Sequence, residues 1–114
     1  MNDEREMITE AYRDFNARRI DAVLARLRPD VLWSNGLKGE YVHGHEGVRA
    51  YWTRQWATLD PYVEPLKIER DASGRYVVEV HQVVRDLAGK LLSDAMVRHI
   101  YQIRDGLVER MDIE

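Results

Sequence analysis

Two histidines stand in the middle of runs that otherwise alternate apolar and polar residues, His81 in VEVHQVVRD and His99 in VRHIYQIRD. Successive side chains of a strand point to opposite faces, so Val97, His99, Tyr101 and Ile103 share one face. A histidine on a core-facing strand needs either a hydrogen-bond partner, for which Tyr101 and Asn35 are candidates, or a chemical task. Imidazole suits such a task because it can donate or shuttle a proton near neutral pH. A third group of titratable residues, His43, His45 and Glu46 in HGHE, has i, i+2, i+3 spacing in a loop. That spacing matches no common metal-ligand motif, and neither a metal nor a cofactor is expected.

Whether His81 joins His99 depends on strand register. If Asp86 and Lys90 flank the turn LAG, His81 lies opposite Ala95 and Val77 opposite His99, which puts both histidines on one face. On that register His81 lines the cavity. A single bulge would reverse the parity and bring in Gln82 instead, and the apolar Tyr76, Val78, Val80 and Val84 on the other face argue in that direction.

The elements that must position these groups follow from periodicity. Ile8, Ala11, Tyr12 and Phe15 fall at i, i+3, i+4 and i+7, the stripe of a helix over about 3–17. Asp21 can cap a second helix with Val23, Leu24 and Leu27 inward, ended by Pro29. VLWSN is a short strand with Val31, Trp33 and Asn35 on one face, and GLKGEYVHG is a glycine-rich loop. In HEGVRAYWTRQWATLD the residues Val48, Tyr51, Trp52, Trp56 and Leu59 again keep helical spacing, with Glu46 in the first turn, and Asp60-Pro61 ends the run. From residue 63 the period changes to two, over 63–70, 76–86, 91–104 and 107–114. DASG, DLAG and RDG separate these segments, the turn chemistry of a four-stranded antiparallel meander. Met111 and Ile113 face inward and Asp112 outward, and the arginines at 18, 19, 26 and 28 read as a solvated face.

The chain has 114 residues, 45% apolar and 32% charged, with a formal net charge of -3 and no cysteine. One domain over 1–114 is expected, without disulfides, thiolate nucleophiles or thiolate ligands. No basic footprint for nucleic acid is present, no apolar run approaches the roughly 20 residues that span a bilayer, and MNDEREM is acidic and polar rather than a basic region leading into an apolar core. Neither nucleic acid nor membrane is an expected partner, and a cytoplasmic protein is expected. Helices followed by strands, with no glycine-rich phosphate loop, give an α+β domain.

ARRIDAVLARLRPDVLWSN, HGHEGVRAYW, VEVHQVVRD and VRHIYQIRDGLVERMDIE occur in an order that resembles the nuclear transport factor 2-like superfamily over essentially the whole chain. Within it the chain is most similar to the SnoaL-like polyketide cyclase and ketosteroid isomerase branch. The resemblance implies a cystatin-like cone: three N-terminal helices packed in a strongly curved antiparallel sheet, an apolar pocket at the open end, and a homodimer through the outer sheet face. The isomerases' catalytic aspartate at the end of the first strand matches Asn35 here, and an amide cannot serve as that base. Their oxyanion tyrosine matches Ala11. Its neighbour Tyr12 sits about 100° further round the helix and is not the equivalent group. Their hydrogen-bond-donating acid on the penultimate strand matches His99.

The resulting expectation is acid-base isomerase or cyclase chemistry on a small apolar carbonyl compound. His99 stabilises the oxyanion, Asn35 holds the carbonyl and His81 is the base. Trp33, Trp52, Trp56, Tyr101, Met111 and Tyr12 are the candidate substrate-binding residues. The alternatives are a non-catalytic small-molecule binding module or a dimerisation domain.

Overall fold

A computed structural model describes residues 4–36 and 39–114. Helix α1 (Glu4–Asn16) buries Ile8 and Tyr12, as its stripe requires, and carries Glu4 and Glu6 in its first turn, where carboxylates suit the helix dipole. Asp3, where this helix was expected to begin, and Leu37 and Lys38 of the glycine loop lie outside the described residues.

Helix α2 (Ile20–Leu24) is shorter than expected, and its N-cap is Arg19, without a side-chain cap. Asp21 lies in the first turn. Pro29 does not stop the helix, because strand β1 (Leu27–Ser34) has already begun. The pairing of β1 breaks between Leu27 and Leu32, so a residue without an N–H is tolerated there. Asn35 falls just beyond the strand. Part of the expected loop forms a three-residue strand, β2 (Tyr41–His43), paired to β1. Helix α3 (Gly44–Thr58), with Glu46 in its first turn, runs directly into β3 (Leu59–Arg70).

Strands β4 (Tyr76–Asp86), β5 (Leu91–Arg104) and β6 (Leu107–Ile113) complete the meander. At both longer turns an Asp side chain accepts from backbone N–H groups two and four residues on, Asp71 from Ser73 and Arg75, Asp86 from Ala88 and Lys90. Gly89 takes the positive φ of 93° that closes the second of them. Asp105 and Gly106 both have positive φ, 54° and 79°, as the tight β5–β6 turn demands.

The curved six-stranded sheet has the order β2-β1-β6-β5-β4-β3. It is antiparallel except where β1 lies parallel to β6. Helices and sheet together bury Ile8, Tyr12, Val31, Trp52, Val78 and Val80 among others. Of the arginines expected as a solvated face, Arg19 is largely exposed, whereas Arg26 and Arg18 tie elements together. Arg26 bonds both Asp14, at 2.6 Å, and Glu10, at 3.1 Å, on α1, and Arg18 pairs with Asp60 on β3. Among the described residues no helix is long and apolar enough to cross a membrane.

Candidate functional site

Register decides which polar groups face the concave side of the sheet. An irregularity between Val84 and Arg85 shifts the β4–β5 pairing by one residue, so His99 lies opposite Val78 and His81 opposite Met96. Val78, Val80 and Gln82 then share the inner face of β4, and His81 lies on the outer face. There His81 Nε2 meets Asp94 at 2.7 Å, both side chains being substantially exposed. The expected cavity position of His81 is therefore reversed, and the residue that reaches the cavity is Gln82.

The cavity between the helices and the sheet has a volume of about 90 Å³. One water needs roughly 10–15 Å³ of such space, so a cluster of waters or a ligand group fits. Trp33, Trp52, Tyr101, Met111, Tyr12 and His99 all line it, and the structure brings these expected residues together. Two others are not brought in. Asn35 does not contribute to the lining. Its N–H donates to Glu40 O at 3.2 Å and its carbonyl accepts from the Tyr51 hydroxyl at 3.1 Å, because the strand that would have pointed it inward ends at Ser34. Trp56 packs behind the wall, against Phe15 and Trp52 with ring centroids 5.2 and 5.9 Å away. Its Nε1 is buried without a hydrogen-bond partner among the described residues.

His99 is buried, and its partner is one that register matching with the isomerases passed over. Tyr101 donates to the Tyr12 hydroxyl at 2.8 Å, and Tyr12 lies 2.7 Å from His99 Nδ1. Tyr12 accepts from Tyr101 and, in the His99 tautomer whose Nδ1 carries the lone pair, sends its one proton to Nδ1. In that tautomer the ring proton is on Nε2, which has no partner among the described residues. The Tyr12 and His99 rings are near parallel, at 13°, and Trp33 stands edge-on to Trp52 with centroids 5.4 Å apart.

Burial lowers the His99 pKa to about 4, so the imidazole is neutral at pH 7. Burial also raises both tyrosines, Tyr12 with a further contribution from Tyr101. Among the described residues that line the cavity none is Asp, Glu, Lys or Arg. Among the described residues that line the cavity no carboxylate is placed to remove a proton from carbon, and in that tautomer the Nδ1 lone pair of His99 is engaged by Tyr12. What the arrangement can do in that tautomer is offer an Nε2–H to an acceptor inside a cavity whose described lining is aromatic and uncharged.

Sequence reasoning missed Ser34, Tyr51 and Gln55 in the lining. Tyr51 was already on the expected helical stripe of α3, and Gln55, four residues beyond Tyr51 and three beyond Trp52, follows from the same spacing. Ser34 had no such signal, being adjacent in sequence to Trp33, which lines the same cavity. His45 Nε2 bonds the backbone carbonyl of Leu27 at 2.8 Å. Among the described residues no group of three or more His, Asp or Glu could hold a metal ion.

Solved structures share this fold. A nuclear transport factor 2-like protein of unknown function from Burkholderia pseudomallei is 24% identical, with TM-score 0.84 over 100% of this chain and 91% of that one. A proposed polyketide cyclase from Pseudomonas putida is 20% identical, with TM-score 0.86 over 100% and 92%. TerC, crystallised with polyporic acid, is 26% identical, with TM-score 0.82 over 97% and 89%. A search of curated proteins finds no significant match. The SnoaL-like domain model matches residues 8–111, from α1 to β6, and the chain belongs to the SnoaL-like family within the nuclear transport factor 2-like superfamily.

Proposed function

We propose that the cone binds a small, uncharged, largely apolar carbonyl compound and polarises its oxygen through His99 Nε2–H. The observation that carries this reading is the Tyr101–Tyr12–His99 hydrogen-bond chain ending in a cavity without charged lining. A donor held in an apolar site strengthens as negative charge develops on its acceptor, which is what enolisation or an aldol-type cyclisation requires. Since the described lining offers no carboxylate base, turnover of this kind suits a substrate whose own C–H is acidic, such as one flanked by two carbonyls, with the carbon proton passing to water and the enolate oxygen accepting from Nε2–H. In this form the isomerase or cyclase reading has His99 as donor and neither His81 nor Asn35 as a participant. TerC, co-crystallised with polyporic acid, supports a small organic molecule as the class of ligand.

The test uses Trp33 and Trp52 as internal fluorescence probes of the cavity. Wild-type protein is titrated with 4-phenylcyclohexanone and with phenylcyclohexane, which differ by the carbonyl. The ketone is expected to bind about tenfold more tightly, the worth of one buried hydrogen bond, and His99→Phe should bind both alike. Equal affinities in the wild type would overturn the reading.

A second reading concerns the outer sheet face, which carries Tyr62 and Met96, 51% and 57% exposed, beside the His81–Asp94 pair. These exposed apolar side chains, on a face that also carries Val77, Val83 and Ile100, support pairing with a second copy of the chain.

A further inference from the structure

The His99 donor accounts for one polar point in the cavity, and two carboxamides lie elsewhere in its lining. Gln82 stands on β4 between Val63 of β3 and Ala95 of β5, while His99 stands opposite Val78. Positions 78 and 82 are four residues apart on the same face, on the order of 13 Å at about 3.3 Å per residue. Gln55 lies in the last turn of α3, which passes into β3 without a loop. That connection brings the end of α3 to the part of the sheet where Pro61, Val63 and Gln82 line the cavity.

Both glutamines line the cavity, both are half-buried, and among the described residues neither carboxamide has a hydrogen-bond partner. A carboxamide offers two donors and an acceptor, and a partly buried one is satisfied by whatever occupies the space beside it.

Resting on the carbonyl-binding reading above, we propose that Gln55 and Gln82 form a second polar station that reads a second oxygen of the ligand. The ligand is then two-ended: a carbonyl at His99, a flat apolar body along Trp33 and Trp52, and a hydroxyl or second carbonyl on the order of 10 Å away, within the strand spacing above. Carboxamides carry no net charge, so the far group is neutral. A carboxylate there would be desolvated without a cation in the lining to compensate it.

The test adds one compound to the previous pair, 4-(4-hydroxyphenyl)cyclohexanone, which keeps the ketone and places a hydroxyl at the opposite end. Wild-type protein should bind it about tenfold more tightly than 4-phenylcyclohexanone. Gln82→Met and Gln55→Met, close in volume but apolar, should lower that preference, read as the ratio of the two ketone affinities within each variant, to about twofold or less. If the wild type binds both ketones equally, or if both variants keep the full preference, the second station is refuted and the His99 reading stands. If neither ketone binds, both fall. The wild-type comparison decides even where a variant does not fold.

Discussion

His99 titrates near pH 4 because its imidazolium would sit in an apolar cavity with no carboxylate in the described lining to stabilise it. The unfolded chain takes up this proton near the usual 6.5 and the folded chain only near 4. Between those values the unfolded state binds more protons, so stability falls as pH is lowered through the window and the loss is complete below it. The shift corresponds to on the order of 3 kcal/mol. Other groups titrate in the same range, and the difference between wild type and His99→Phe isolates this one. That variant is expected to be less stable at pH 7, since it leaves the Tyr12 hydroxyl without its acceptor at a cost of about 1–3 kcal/mol. Chemical denaturation from pH 7 to pH 4 should show the wild-type advantage shrinking by on the order of 3 kcal/mol. A constant difference would mean that His99 protonates freely in the folded state. Periodicity gave His99 its inward face, but its partner was not legible, because Tyr12 is 87 residues away in sequence and only packing brings the two together.

At the scale of elements, the sheet's outermost strand on one side is β3, whose outer backbone edge needs covering. Asn16 at the end of α1 covers part of it: its amide donates to Val63 O at 2.8 Å and its carbonyl accepts from Val63 N–H at 3.0 Å. Asn16→Ala removes both bonds and should cost about 1–3 kcal/mol, read as a lower denaturant midpoint at unchanged slope. The β2–α3 junction depends on Gly44, at φ 72°, where an added Cβ would stand 3.1 Å from Pro29 O. Gly44→Ala combines left-handed strain with that contact and should destabilise by at least about 1–2 kcal/mol. The turns between β3, β4, β5 and β6 were readable from Asp and Gly because their chemistry is local. The β4–β5 irregularity was not, and one residue of slip exchanged His81 for Gln82 in the cavity. β2 was also missed, since three residues show no period and acquire strand geometry only by pairing with β1.

For the whole molecule, the two sides of the sheet make separable claims. The concave side holds the uncharged cavity, and the convex side carries Met96 and Tyr62 in the open. If the convex side joins two copies, sedimentation equilibrium should give a dimer for the wild type, and Met96→Glu should shift it to monomer without altering ketone binding. A wild type that remains monomeric at micromolar concentration removes the second reading and leaves the cavity reading intact.

The sequence alone determined the α1 stripe, the change from helical to alternating period after Pro61, the hairpin turns and the inward face of His99, because each depends on neighbours within a few residues. From these, with the order of its motifs, the family and the cone could be named. Tertiary structure decided what those elements do together: the Tyr101–Tyr12–His99 chain, the absence of charge from the described cavity lining, the exclusion of Asn35 and Trp56, and the exchange of His81 for Gln82. The reason is physical. Hydrogen-bond partners and desolvation are set by which surfaces meet, and a single bulge, invisible to periodicity, determines that for every residue of the strand beyond it.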